Sequence, residues 1–380
     1  MRIPIPPEVV PLARLSPSQY EVGRVCKARL AWTSAGRRNE MPDHPKALLG
    51  TCFHAVVEAA ASGRLSAKNE ELTAVTTRDL FDQIATAVYG RAHPLLRAKY
   101  QSVGVLPYYY LFRERAVLMA RRVADGRRPP SAPATSAGRA APPLALVETA
   151  LTSRDGLLSG RPDYVDLQAR EIVDYKTGAA ADDATIMSPA EARQLRLYVH
   201  LALENAFSVS RGVIVRPGGR RVEAAVTKTE ADAEGRQARE VLEHFNQLAG
   251  RTFEVIAEPS AEACKFCPCV PFCDTFWRVA TSAWLEECGA HVEGRITAIT
   301  ESQVQKIRVL TFHLDVTRGT VDAQRAFIEQ VPEPWITIGG NPPPKTGELL
   351  RVVYGHANLP SAAPVIRVNR TLTSIWTVSN

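Results

Sequence analysis

The first 122 residues carry a hydrophobic pattern typical of helices. Ser16 and Pro17 mark the start of the first helix, because serine caps free N–H groups and proline fits the first turn. The predicted helices span residues 16–31, 46–61 and 72–122, the last broken near Pro94 and Pro107. Residues 124–143 are rich in proline, alanine, serine and glycine, which predicts a flexible surface loop.

From residue 144 the pattern changes to short runs of valine, isoleucine and leucine, which predict strands. The expected strands lie at 144–151, 157–167 and 171–175. A helix at 188–206, a strand at 212–216 and a helix at 230–250 follow. This order of helices, three strands, helix and strand predicts the α/β fold class with a mixed sheet as its core.

After residue 288 the chain has short apolar runs separated by glycine, proline and asparagine. The expected strands lie at 291–300, 306–315, 335–338, 347–354 and 364–378, with a helix-like stretch at 321–331. This pattern of short strands and turns predicts a small all-β barrel, for which the OB-fold is the leading candidate. We therefore expect an α/β domain at 1–288 and a barrel domain at 289–380.

Composition limits the possible locations and partners. The chain is 45% hydrophobic and 23% charged, as in soluble globular proteins, and its net charge is +6. A mild positive charge permits a polyanionic partner without requiring one. We see no apolar run long enough to span a membrane and no apolar core of a signal peptide, so no membrane partner and a cytoplasmic location are expected.

Two carboxylates and a lysine in mid-chain are the candidate catalytic group. Asp174 and Lys176 are two apart on a predicted strand, so their side chains leave the same face, and Asp163 lies on the preceding strand. Converging carboxylates repel each other unless a cation binds, and oxygen ligands favour Mg²⁺ or Mn²⁺. The group therefore suits metal-dependent phosphodiester cleavage. From spacing alone, two solvated hairpin carboxylates with Lys176 in a cross-strand ion pair explain the pattern somewhat better than a metal site does.

Four motifs extend this group in a recognisable order. They are Gly50-x-x-x-His54, Gly-Arg-Pro-Asp at 160–163, Asp-Tyr-Lys-Thr-Gly at 174–178 and Gln194-x-x-x-Tyr198. Together they resemble the RecB-like branch of the PD-(D/E)xK nuclease superfamily. The resemblance implies a restriction-endonuclease-like mixed sheet flanked by helices.

The resemblance also implies a role for each motif residue. It makes His54, Asp163 and Asp174 the metal ligands and Lys176 the catalytic lysine. Gln194 and Tyr198 become accessory residues that shape the site and contact DNA. Glu148, on the strand before the hairpin, is a further candidate: it suits a water, a second metal or a purely solvated role.

Seven cysteines are present, and four of them crowd together at Cys264, Cys267, Cys269 and Cys273. In a reducing compartment this pattern favours a metal or cluster site over disulfides. One possibility is zinc bound by these four residues.

The other possibility comes from a second resemblance, to the iron–sulfur nucleases of the AddB type and of CRISPR adaptation. In those proteins one N-terminal and three C-terminal cysteines hold a [4Fe-4S] cluster. The resemblance makes Cys26, Cys264, Cys267 and Cys273 the ligands, with Cys269 as an extra residue that departs from the pattern. Cys52 and Cys288 are then core or surface thiols.

The predicted activity is a Mg²⁺- or Mn²⁺-dependent DNA nuclease, an exonuclease rather than an endonuclease, acting on single strands or ends. The barrel would present a strand through aromatic and basic residues. The candidates are Trp335, Tyr354, Arg367, Arg370 and Trp376. Alternatives are a non-catalytic DNA-binding subunit of a helicase–nuclease complex and an RNA-processing nuclease. The sequence lacks a phosphate loop, so any motor would be a separate helicase chain, and DNA repair, recombination or defence is the expected setting.

Overall fold

The computed structural model describes residues 1–37, 40–65, 70–125, 145–177, 185–216, 219–358 and 363–378. The loop predicted at 124–143 lies outside the described residues from 126 onward. The helices are α1 (Pro17–Val25), α2 (Lys27–Ser34), α3 (Pro45–Ala61), α4 (Glu70–Gly90), α5 (Pro94–Lys99), α6 (Tyr109–Asp125), α7 (Pro189–Glu204), α8 (Lys228–Gln247), α9 (Ala261–Cys264), α10 (Asp274–Val279) and α11 (Leu285–Cys288). No helix in these ranges combines the length and the apolar character needed to cross a bilayer.

The strands fall into an N-terminal and a C-terminal group. The first group is β1 (Ala145–Val147), β2 (Leu151–Thr152), β3 (Ser159–Gly160), β4 (Tyr164–Asp166), β5 (Glu171–Tyr175), β6 (Arg211–Val215) and β7 (Arg221–Ala225). The second group is β8 (Ala290–Val304), β9 (Ile307–Gly319), β10 (Arg325–Pro332), β11 (Leu349–Asn358), β12 (Val365–Arg367) and β13 (Ser374–Val378). The α/β fold class is thereby confirmed.

The N-terminal sheet has the strand order β1-β4-β5-β6-β7. Strands β5 and β6 run parallel, and the other neighbours are antiparallel, so the sheet is mixed as predicted. A parallel pair needs a crossover, and α7 provides it between β5 and β6.

Helices cover both faces of this sheet. On one face Ile172 and Ile214 share an apolar core with residues of α1, α7 and α8. On the other face Val173 and Val213 pack with residues of α3, α4 and α6. Every residue of β5 is buried, as expected for a strand covered on both faces, and this includes the carboxylates of Glu171 and Asp174.

The predicted helix at 16–31 is interrupted. Cys26 has an extended backbone (φ −159°, ψ 119°), so α1 ends before it and α2 starts after it. Cys26 is buried in the core that includes the later cysteines. Helix periodicity continues across the break, and for this reason the sequence does not reveal it.

The C-terminal sheet closes on itself. Its order is β12-β10-β9-β8-β11-β13, and β12 also pairs with β11. Strand β12 runs parallel to β10 and antiparallel to β11, so five strands form a ring. The ring encloses its own apolar core, which includes Phe312, Ile328 and Val352.

Two elements predicted for this region are wrong. Residues 321–331 contain strand β10 instead of a helix, because Ala326 and Ile328 alternate inward against β9. A bulge after Ile328, with Gln330 at φ 51°, turns Val331 inward as well and gives the run its helix-like spacing. The strand expected at 335–338 is instead part of two short 3₁₀ turns, and the strand at 364–378 is divided into β12 and β13.

Two of the expected nucleic-acid contacts of this sheet are also wrong. Trp376 is buried, and the Tyr354 hydroxyl donates to the Cys267 carbonyl at 2.8 Å. Arg370 donates to the Lys99 carbonyl, and Trp335 packs under the Lys99 ammonium. Trp376 and Tyr354 serve the interior because the ring packs against the N-terminal part. Arg367 and Arg370 are exposed, so their predicted contacts stay predictions.

One buried arginine ties the C-terminal sheet to the cysteine loop. Arg351 on β11 donates to Glu293 at 2.8 Å, to Asp274 at 2.6 Å and to the Pro271 carbonyl at 2.8 Å. Its guanidinium lies 5.1 Å from the centre of the Trp277 ring. The charge of Glu293, a residue only 2% exposed, is therefore compensated inside the protein.

Replacing Arg351 by alanine is expected to lower the free energy of unfolding by ~3–5 kcal/mol, because the buried Glu293 would keep only the half-exposed Arg318, 3.3 Å away, as a charged partner. Urea unfolding measures the loss. Arg325→Ala, at a position 77% exposed on β10, is the control and should unfold like the native chain. Equal unfolding midpoints for the two variants would contradict this account.

Candidate active site

The end of the β4–β5 hairpin gathers the predicted site residues. Asp163 directly precedes β4, Asp174 lies on β5 and Lys176 follows that strand. Helix α3 brings His54 from one side, and α7 brings a further pair of side chains, Gln194 and Tyr198. The structure therefore places all six residues around one end of the sheet.

Asp174, Lys176 and Gln194 form a closed triangle. Lys176 Nζ lies 2.7 Å from Asp174 Oδ2 and donates to Gln194 Oε1 at 2.8 Å, while Gln194 Nε2 donates to Asp174 Oδ1 at 3.0 Å. The backbone N–H of Lys176 also donates to the Val215 carbonyl at 3.0 Å. Burial raises the pKa of Asp174, and the Lys176 charge opposes that rise. The triangle thus fixes the position of the ammonium group.

One carboxylate oxygen of Asp163 is bound to the backbone, and the other faces His54. Its Oδ2 accepts the Tyr175 N–H at 2.7 Å, and its Oδ1 lies 3.5 Å from His54 Nδ1. Burial lowers the pKa of His54, but the hydrogen bond and charge of Asp163 outweigh burial and raise it. Asp163 Oδ1 and the His54 imidazole therefore face each other at the opening of the site.

Glu148 completes a possible metal site. Ligand atoms of His54, Glu148 and Asp163 lie within 4.8 Å of one another. Burial, and then the Asp163 charge, raise the pKa of Glu148 to about 7. Two carboxylates with an imidazole are suitable ligands for a divalent cation, so these residues fit one.

The sequence marks Glu148 only as a further candidate, and its backbone conformation explains why no motif includes it. Its φ is 45°, in the left-handed region that favours glycine, so a local conformation that sequence patterns do not signal directs it toward Asp163. Asp174 lies outside the 4.8 Å group in the described chain. Its predicted ligand role stays a prediction.

Two motif glycines allow close packing around the site. A Cβ on Gly50 would lie 3.1 Å from Thr177 Oγ1, so α3 approaches the end of β5 closely there. A Cβ on Gly160 would lie 2.8 Å from Tyr198 Cε1 and 2.9 Å from a Leu201 methyl. Tyr198 in turn donates to the Arg161 carbonyl at 3.2 Å, which ties α7 to the hairpin.

Gly160→Ala should lower the free energy of unfolding by ~1–3 kcal/mol, because the methyl group must displace the Tyr198 ring from a packed position. The measurement is urea unfolding, with nuclease assays to follow the displaced ring. Gly104→Ala is the matched control, since a Cβ there meets nothing within 4 Å. If both glycine variants unfold alike, the close packing of α7 on the hairpin does not contribute to stability.

The cysteines form a second, separate cluster. One buried cavity is lined by Cys26, Cys264, Cys267, Cys269 and Cys273. Arg29 also lines it, and its buried Nε has no hydrogen-bond partner among the described atoms. Burial raises the pKa of Cys273 to about 12, whereas a hydrogen bond from Cys269 lowers that of Cys267. A cofactor that binds thiolates and leaves a net negative charge would suit this set.

The other two cysteines lie elsewhere. The Cys52 thiol donates to the Leu48 carbonyl within α3, and the Cys288 thiol donates to the Ala261 carbonyl. Burial raises the pKa of Cys52 to about 12. Both thiols are therefore occupied by hydrogen bonds to backbone carbonyls, within α3 for Cys52 and between α11 and α9 for Cys288.

The profile of the PD-(D/E)XK nuclease superfamily matches residues 14–274, well over half of the 380-residue chain. The chain therefore belongs to the PD-(D/E)XK nuclease superfamily, which implies a metal-dependent nuclease. The matched span contains every residue of the site above and ends just after Cys273. No curated protein sequence matches the chain.

Proposed function

We propose that the chain is a Mg²⁺- or Mn²⁺-dependent DNA nuclease of the RecB-like branch, acting as an exonuclease on single strands or DNA ends. The observation that carries this proposal is the buried triangle of Asp174, Lys176 and Gln194 beside the His54, Glu148 and Asp163 cluster. An ammonium group held next to a possible cation site is what phosphodiester hydrolysis requires. The order of the motifs along the chain supports the branch.

The residues of the chain would share the chemistry as follows. His54, Glu148 and Asp163 would hold the cation, which when bound polarises the phosphate and lowers the pKa of water. Lys176 would stabilise the negative charge that develops on the phosphate oxygens, because its ammonium is already fixed. Gln194 positions Lys176 and Asp174, and Tyr198 holds α7 against the hairpin.

Lys176→Met should reduce cleavage of single-stranded DNA by ~10²–10³-fold or more, since it removes a fixed charge that stabilises the transition state. Gel analysis of end-labelled strands with Mn²⁺ or Mg²⁺ measures the rate and the direction of digestion. Lys228→Met, on the exposed side of α8, is the control and should cleave normally.

The same assay separates the alternatives. Preference for RNA over DNA would replace the substrate while keeping the nuclease. Tight, salt-dependent binding without any cleavage would favour a non-catalytic subunit that works with a helicase chain. Cleavage that survives Lys176→Met would contradict the proposed site.

We further propose a [4Fe-4S] cluster on Cys26, Cys264, Cys267 and Cys273. The shared cavity and the unpaired Arg29 Nε support a negatively charged, sulfur-bound cofactor. Zinc bound by four thiolates is the alternative, and the metal content of the protein decides between the two.

Cys26→Ser should remove most of the iron, because it deletes the one ligand outside the cysteine loop. Anaerobically purified protein is expected to contain ~4 irons and as many sulfides per chain. Elemental analysis for iron and zinc is the measurement, and Cys52→Ser should keep the native content. Zinc in place of iron, or full iron in Cys26→Ser, would overturn the assignment.

The C-terminal ring supports a third element of the proposal. Its five-stranded closure, with β12 beside both β10 and β11, agrees with the OB-like barrel expected for residues 289–380. Exposed Arg367 at its surface would help to guide a nucleic-acid strand. We propose DNA repair, recombination or defence in the cytoplasm as the setting.

A further inference from the structure

Tyr108 is an exposed aromatic residue in an unusual backbone conformation. It directly precedes α6, is 47% exposed and has a φ of 70°, in the left-handed region. Bulky residues seldom adopt that conformation, and strained residues of this kind concentrate at functional sites. Its ring packs against a charged group, since Lys46 Nζ lies 4.6 Å from the ring centre.

Lys46 connects this ring to the active site. An open groove of about 490 Å³ runs along α3 and is lined by Lys46, Gly50, His54 and Glu58, among others. These four positions are spaced by four residues, so they share one face of the helix. At 1.5 Å per residue, Lys46 and His54 are ~12 Å apart along the axis, the length of three or four stacked nucleotides at ~3.4 Å each.

The charges along the groove differ at its two ends. His54, Glu58 and Glu148 lie toward the metal end, where carboxylates repel a phosphate backbone. Lys46 is the one lysine or arginine among the described residues that line the groove. A polyanion would therefore be attracted at the Lys46 end.

We propose that Tyr108 and Lys46 form the entrance of the active-site groove and select unpaired nucleic-acid strands. Lys46 would contact a backbone phosphate while the Tyr108 ring stacks on a base three or four nucleotides from the cleaved bond. Stacking requires a free base face, which a single strand or a frayed end offers and an intact duplex does not. This inference rests on the proposed nuclease function and adds the residues that would select its substrate.

The test compares single-stranded oligonucleotides, some with one abasic position placed one to six nucleotides from the cleaved bond. On intact strands, Tyr108→Ala should raise KM by ~5- to 100-fold, as expected for loss of one stacked base. Tyr108→Phe should restore the native KM, because stacking does not need the hydroxyl. Native protein and Tyr108→Ala should converge when the abasic position lies three or four nucleotides away.

Matched controls separate the possible failures. Tyr110→Ala removes a more exposed ring that contacts Tyr109 and should leave KM unchanged. Lys46→Met should weaken binding and flatten its salt dependence by a slope of ~0.7, the value for one phosphate contact on a single strand. A native KM for Tyr108→Ala, with cleavage still lost in Lys176→Met, would contradict the proposed entrance and leave the nuclease proposal standing. Absence of any cleavage by the native chain would overturn the nuclease proposal itself.

Discussion

The structure depends on keeping the carboxylate of Asp174 inside the protein. It lies on the central strand, is 6% exposed and sits within range of the Asp163 charge. An uncompensated charge at that depth would destabilise the fold. Lys176 and Gln194 compensate it, so the same contacts that allow the sheet to form also fix the ammonium group that the proposed chemistry would use.

The surrounding layers make this compensation possible. Helix α7 crosses over between the parallel strands β5 and β6 and thereby places Gln194 beside Asp174. Helix α3 approaches the opposite side at Gly50 and delivers His54 to Asp163. The site is therefore supported by helices and strands, and its acidic side chains Glu148 and Asp163 come from turns at the ends of strands.

Local patterns predicted much of this arrangement. The hairpin, the helix that carries His54 and the pair on α7 were found because their spacing is set within short segments. Glu148 and strand β10 were harder, because a left-handed residue and a bulge change their direction. The break at Cys26 and the inward use of Tyr354 and Trp376 follow from contacts with distant segments, which no local period encodes.

The hydroxyl of Tyr354 donates to the carbonyls of Cys264 and Cys267. This contact can form only after both segments have been synthesised. Tyr354 follows Cys264 by 90 residues, so a ribosome that adds 5–20 residues per second delivers it ~5–18 s later. During that interval the nascent cysteine loop exists without the strand that later braces it. The proposed cofactor, if loaded during synthesis, would bind before Tyr354 holds the loop; if loaded after release, it would bind a loop that Tyr354 already holds.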